Sequence, residues 1–336
     1  MNKNYGIFGA AVQAARGTAA AAPTVSFHAS DDSDGISAEK SMDNLALTIG
    51  GRSTTVENYI KEVKSTADVK TIGFADTLGM MLYAAMGADT VTGSAAPYAH
   101  DIKAGASIPY LTFFQQVGST SAALQQLKDA KVDEMKMTCE GVAPMGFEFS
   151  LAGTNMSYLA ATEWNGPDFS IADGYFKMAD ATLLFSLLDG EPVAVPAGIV
   201  LSKLEIGIKN NLSAQAAMGI VEPIDQQEES ADVSVSLEGK SDSTDLYRKV
   251  ITGSATGTAV TSRVVTGSLQ ITFQHTVNSA WTFVVKIPAI PWVCDVMGVS
   301  TDGGPFDLKM STDSALDLGA GAAEFILTND VAKYEI

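Results

Sequence analysis

With 336 residues the chain is long enough for one large or two medium domains. It carries 39 Asp and Glu against 21 Lys and Arg, a formal charge of −18, and no run of Lys or Arg, which excludes a tight grip on nucleic acid. Only 18% of residues are charged while 46% are hydrophobic, a balance that suits burial against neighbours better than a solitary enzyme.

The opening stretch, MNKNYGIFGAAVQAARGTAAAAP, is rich in small residues, with Tyr5, Ile7, Phe8 and Val12 as its large apolar side chains. A secretory leader needs an apolar run of about 7–15 residues after a positive start. Gly9, Gln13 and Arg16 interrupt any such run here, so no leader is expected. An arm that orders only against another copy fits better. SDDSDG at 30–35 approximates a calcium loop, but Ser30 takes the first ligand place and Ser41 stands where a bidentate Glu belongs. It reads as a solvated acidic turn.

In FADTLGMMLYAAMG, Phe74, Leu78, Met81, Leu82 and Ala85 form one apolar stripe that ends at a capping Gly87, predicting a helix near 74–87. SAALQQLKDA predicts a second helix, with Ser121 as N-cap and Leu124 and Leu127 inward. Beyond it, strict alternation takes over. Met135, Met137 and Cys139, followed after GVAPMG by Phe147, Phe149 and Leu151, predict a hairpin over 135–151. Leu204, Ile206 and Ile208 mark another strand, as do Val233, Val235 and Leu237. Leu269, Ile271 and Phe273 with Trp281, Phe283, Val285 and Ile287 predict the clearest hairpin, and FDLKM and FILTN are strands near the end.

These elements predict a mainly β fold of the α+β kind: an antiparallel β-sandwich or barrel of two sheets, one or two flanking helices, and extended N- and C-terminal arms. The expected division is an assembly arm over 1–23, the sandwich domain over 24–289, and C-terminal strands over 290–336 that belong to the same domain or decorate it. KVDEMKMTCEG and KLEIGIKNNLS echo one another and point to paired sheets rather than independent domains. No apolar run approaches the roughly 20 residues that span a membrane, so no membrane partner is expected.

Chemistry is missing on residue type and spacing. His28, His100 and His275 lack any HxxxH or HExxH spacing, and His275, at the end of a strand, is expected at the surface or rim. No GxSxG elbow and no phosphate-cradling GxxxxGK[ST] occurs. Acidic neighbours such as Glu228 and Glu229 sit in no catalytic setting. Cys139 reads as a small buried hydrophobe, and with Cys294 it makes no disulfide framework. Trp164, Trp281 and Trp292 read as core or interface anchors. No catalytic residue, metal site or cofactor is expected.

The order of segments carries a resemblance. An arm GAAVQAARGTAAAAP leads through an acidic connector to a strand pair around LALTIGGRS. EVKSTADVKTIGFADTLGMMLYAAMGA follows, an extended strand running into a helix that ends at Gly. His100, IPYLTFFQQ, KVDEMKMTCEGVAPMGFEFSLAG, SKLEIGIKNNL, DVSVSLEGKSDSTDLYRKV and TGSLQITFQH complete the series. From about Tyr5 to Phe283 the chain resembles the major tail tube proteins of long, non-contractile-tailed bacteriophages.

The resemblance implies a structural virion protein with no enzymatic role, copies of which form hexameric rings. The rings stack into a tail tube, alongside other tail proteins, after assembly in the host cytoplasm. DNA passes through the lumen without specific binding. By the same resemblance the assembly contacts come from Met1–Pro23, from the tail DVAKYEI and from Asn44–Thr66, with Tyr5, Ile7, Phe8, Val12, Tyr334 and Ile336 as the arm residues. A lumen lined by acidic and Ser/Thr side chains is expected, since a firm phosphate contact repeated ring after ring would stall the DNA. Two other structural readings stand beside this one: a fused double subunit that assembles as trimers, to which the internal echo lends support, and a secreted surface or adhesin β-protein. A carbohydrate-active enzyme built on two acidic residues is a third.

Overall fold

The computed structural model describes residues 6–27, 30, 33–46, 55–117, 124–159, 166–167, 174–186, 193–195, 198–254, 256–262, 264–295, 305–317, 319 and 321–334. The first half of the chain builds β1 (Gly6–Val12), β2 (Val25–Phe27), β3 (Gly35–Ala46), β4 (Thr55–Ile72), α1 (Ala75–Met86), β5 (Gly87–Thr92), β6 (Tyr98–Ala104), β7 (Leu111–Val117), β8 (Leu124–Glu140), β9 (Gly146–Gly153) and β10 (Asn155–Tyr158). The second half builds β11 (Phe176–Ser186), β12 (Val193–Ala194), β13 (Ile199–Lys209), β14 (Ser213–Gln215), β15 (Asp225–Gln227), β16 (Asp232–Ser241), α2 (Asp245–Thr252), β17 (Thr266–His275), β18 (Thr282–Pro291), β19 (Val293–Cys294), β20 (Phe306–Thr312) and β21 (Glu324–Asn329).

The alternating segments became strands because each buries one face. One run of neighbours, β3-β4-β9-β8-β13-β16-β20-β19, is antiparallel throughout. Its apolar face meets a seven-stranded sheet, β12-β11-β17-β18-β21-β6-β5. Phe147 of β9 lies edge-on to Phe283 of β18 at 6.4 Å, and Phe283 stacks on Phe325 of β21 at 6.1 Å. That contact is the middle of a two-layer sandwich.

α1 agrees with the predicted helix, and Gly87 ends it in the left-handed conformation (φ 90°), donating its N–H to the Tyr83 carbonyl. Eleven of its twelve residues are buried, so it is a core helix rather than an amphipathic one. The second predicted helix is not one. From Leu124 onward that segment is β8, paired with β7 and β10, while residues 121–123 lie outside the described residues. Leu124 and Leu127, three apart, point to opposite faces of the strand, and both are buried. Cover on both faces imitates a helical spacing.

The two halves repeat one topology. β2-β1-β7-β8-β10 in the first matches β12-β11-β17-β18-β21 in the second, and β3-β4-β9-β8 matches β13-β16-β20-β19. β8 serves both sets, bending at Asp129 (φ 50°), whereas its counterpart is divided into β18 and β19 at Trp292. In each half a helix follows the second long strand and closes on a left-handed glycine, Gly87 or Gly253. The burial phase agrees as well: Ile36 and Ile206, Ala67 and Val235, Val69 and Leu237, and Phe149 and Met310 hold matching buried places.

Each half carries one inserted hairpin that lies on the other half. β6 of the first pairs with β21 of the second. The hairpin β14–β15 of the second reaches the first, where Asp225 accepts from Arg16 at 2.6 Å and from the Tyr110 hydroxyl at 3.0 Å. The repeat boundary falls between Tyr158 and Phe176, within the 24–289 span, and β20 and β21 of residues 290–336 are strands of the second repeat.

Candidate assembly surface and lumen face

The long run of eight strands turns its other face to solvent, and strand periodicity sets what that face presents. Across β8 and β13, Met135 faces Ile208, Met137 faces Ile206 and Cys139 faces Leu204 on the buried side. The intervening residues, Glu134, Lys136, Thr138 and Glu140 opposite Lys209, Gly207, Glu205 and Lys203, are therefore on the open side. β16 continues it with Ser234, Ser236 and Glu238, and β9 and β4 with Glu148, Ser150, Asp68 and Lys70.

Four lysines on this face, Lys70, Lys136, Lys203 and Lys309, lie beside carboxylates. Glu205 lies 3.0 Å from Lys136 and 2.9 Å from Lys203. Lys70 lies 3.6 Å from Glu148, and Lys309 lies 3.7 Å from Glu238. Partial burial alone would raise the Glu205 carboxyl, yet hydrogen bonds and charge from Lys203 and Lys136 hold it below its ordinary range. A phosphate approaching here meets ammoniums already engaged.

Two features are left unfinished in the single chain. The distal parts of β3 and β4 form a two-stranded arm in which residues 37–45 and 57–61 are exposed, Met42 at 69% and Tyr59 at 49%. At the opposite edge of the run, Val293 of β19 is 63% exposed. Open edges of this kind invite pairing with another chain.

Of the arm residues expected at contacts between copies, Ile7, Phe8, Val12 and Tyr334 are among the described residues, and Phe8 and Tyr334 are buried within the subunit. β1 pairs with β7 and β2, and Phe8 packs on Phe27 and Phe113 at ring distances of 6.1 and 5.8 Å. Ile7 and Val12 are half-buried on the same strand. Residues 6–12 thus order within the chain, because Phe8 completes an aromatic cluster that would otherwise face water. Tyr334 is buried, its hydroxyl accepting from Asn329 Nδ2 at 2.7 Å. Tyr5 and Ile336 lie outside the described residues.

His100 is buried, its ring nitrogens 2.8 Å from Asp89 Oδ2 and 2.7 Å from the Val331 carbonyl. Both partners are acceptors, so the ring ties the chain's last segment to β5. His275 is not at the rim: it is 4% exposed, 5.3 Å from the Phe176 ring and 5.0 Å from Trp281. Its strand ends beneath the β11 segment, which covers it. Burial pushes the Cys139 thiol up to about 12, in keeping with an inert core position. Trp292 is buried and Trp281 half-buried, while His28 and Trp164 lie outside the described residues. Glu228 pairs with Lys131, and among the described residues no group of His, Cys, Asp and Glu is placed to hold a metal ion.

Lys136, Glu205 and Lys203 were passed over by motif reasoning. Their only signal was their place as the polar half of the alternation in KVDEMKMTCE and SKLEIGIK.

The chain is thus a duplicated β-sandwich with a charge-paired open face and open sheet edges. The profile of the family described as phage tail tube protein matches residues 7–305, and the chain belongs to that family. A search of curated proteins finds no match. Membership supports a structural role in the virion tail over the adhesin and glycan-enzyme readings.

Proposed function

We propose that copies of this chain join side by side into closed rings, that the rings stack into the tail tube after assembly in the host cytoplasm, and that genomic DNA passes along the open face of the eight-strand run. The observation that carries this reading is the family match over residues 7–305, joined to a polar face on which carboxylates hold the lysines. The expected acidic and Ser/Thr lining is refined: lysines are present too, and Lys70, Lys136, Lys203 and Lys309 each lie beside a carboxylate. Lysines paired in this way have less to offer phosphates in exchange for their counterions.

The β3–β4 arm supports contacts between copies, since its exposed Met42, Leu45, Tyr59 and Ile60 have a purpose only against another surface. For the ring's composition, the resemblance implies six subunits. The internal repeat favours the second reading, in which three double subunits supply six equivalent units.

Negative-stain microscopy of the purified chain across a concentration series tests the proposal. Rings or tubes with an axial channel are expected to appear as concentration rises. Particles that stay single globules at high concentration would refute it.

A further inference from the structure

We propose that residues 330–334 form a strap over α1, held shut by a proton shared between His100 and Asp89, and that the strap opens as pH rises. The device belongs to a single chain and does not depend on how copies join.

Where the chain leaves β21, Asn329 Nδ2 donates to the Ala75 carbonyl of α1 at 2.8 Å and to the Tyr334 hydroxyl at 2.7 Å. Asn329 Oδ1 accepts the Val331 N–H at 3.1 Å. Tyr334 is buried against Gly79 of α1, and its ring centre lies 4.3 Å from that of His100. The Val331 carbonyl lies 2.7 Å from His100 Nε2. Ala332 and Lys333 between these points are exposed, so the strap is fastened at its two ends. Neutral groups make every one of these bonds except the one to His100.

A neutral imidazole has one N–H and one bare nitrogen. Here Nε2 faces the Val331 carbonyl and Nδ1 faces Asp89 Oδ2 at 2.8 Å, and neither a carbonyl nor a carboxylate brings a proton of its own. The shut strap therefore needs a proton in each of the two contacts, whichever of Nδ1 and Oδ2 carries the bridging one. Both side chains are fully buried, and Asp89 Oδ1 has no hydrogen-bond partner among the described residues. The bridging proton is thus also what offsets a carboxylate cut off from water. Without it, lone pairs meet either between Nδ1 and Oδ2 or between Nε2 and the Val331 oxygen. With the strap away, water donates to a bare Nε2 while Nδ1–H stays on Asp89, and one proton suffices. Opening releases the other, so it grows easier as pH rises.

The other charged and titratable groups of the packed elements do not share this role. Burial pushes the Tyr334 hydroxyl above its ordinary value, which keeps it neutral. Tyr83, one turn along α1 from Gly79, is buried, whereas Asp76 of α1 and Lys333 of the strap are exposed. Asp330 accepts from Trp281 Nε1 at 3.1 Å. Strand alternation puts Asp101, Lys103 and Glu324 on the opposite face of β6 and β21, with Lys103 2.8 Å from Asp101 and 2.9 Å from Glu324.

Hydrogen exchange of the dilute, unassembled full chain, read by mass spectrometry on its C-terminal peptides, tests the strap. Rates are taken relative to the unstructured chain at each pH, so that only protection is compared. Residues 331–334 are expected to lose protection between pH 6 and 9, by as much as about tenfold per pH unit, while β17 and β18 keep theirs. Asp89→Asn restores the bonds without the second proton, because its amide donates to Nδ1 while Nε2–H still donates to the Val331 carbonyl. Its strap should stay protected at every pH. Tyr334→Ala should leave the strap open throughout and so mark the fully open level. Wild-type protection that is equal at pH 6 and 9 would overturn the proposal, and that profile decides alone if Asp89→Asn does not fold. An Asp89→Asn strap that opens with pH as wild type does would overturn it as well.

Discussion

A Cβ built on Gly79, in the middle of α1, would lie 2.0 Å from the Tyr334 hydroxyl oxygen. The helix accepts a glycine at mid-length, a residue that costs about 1 kcal/mol there, because the chain's last segment packs directly on it. Asn329 fixes that ring by donating to its hydroxyl and also to the first turn of α1. Gly79→Ala is therefore expected to destabilise the fold by more than the typical 1 kcal/mol of a point change, despite the better helix propensity. Tyr334→Phe, which removes one hydrogen-bond acceptor, should cost about 0.5–1.5 kcal/mol. Thermal melts rank the two; an alanine variant as stable as wild type would mean that the segment does not pack there.

Removing different parts of the N-terminal region should separate folding from assembly. Phe8→Ala empties a place in the Phe8, Phe27 and Phe113 cluster and is expected to cost about 3–5 kcal/mol. Replacing residues 42–61 by Asn-Gly joins Ser41 to Glu62, which already face each other, through a tight hairpin turn. That protein should fold with an unchanged denaturation midpoint and fail to form tubes. Normal tubes from the shortened arm would remove it from the assembly contacts.

His275 gives a pH dependence of definite sign. Burial against Phe176 and Trp281 lowers the imidazole below its ordinary value, and its Nδ1 accepts the Asn278 backbone N–H at 3.1 Å. The unfolded chain takes up the proton first, near pH ~6.5. The stabilisation is complete above that pH and is lost as pH falls towards the lowered folded value. Denaturant midpoints from pH 8 to 5 should fall more steeply for wild type than for His275→Gln. Parallel curves would show that the ring titrates alike in both states.

Charge pairing on the open face should govern how DNA is treated. Glu205→Gln leaves Lys136 and Lys203 without their shared carboxylate. Exposed ion pairs contribute little to stability, so the fold should change by less than about 1 kcal/mol. Assembled variant tubes should retain short duplex DNA in sedimentation at 50 mM salt and release it by 200 mM, whereas wild type retains none. Equal behaviour would mean that this face does not meet DNA.

Much of the β architecture was legible because a sheet buried on one face writes period two into the chain. The segments of β8, β9, β13, β16, β17 and β18 all carry it. Where both faces are covered, as at Leu124 and Leu127, the period vanishes and a helix was read instead. α2 escaped notice because a short helix burying only Leu246 has no stripe to show. The duplication was hidden for a different reason: matching places share only burial phase, as with Phe149 and Met310. The echo that was visible, KVDEMKM and KLEIGIK, falls on β8 and β13, which are partners across the internal boundary and not counterparts in the repeat. Likewise Phe8 and Tyr334 looked like arm residues because a sequence does not reveal that Phe27 and Gly79 wait to receive them.

A cryomicroscopy reconstruction of the assembled tube tests the central claim most directly. The expected density has Lys136, Glu205 and Lys203 on the channel wall and a continuous barrel running through every subunit boundary. A tube whose channel is lined instead by the seven-stranded sheet, with those three side chains outside, would contradict it.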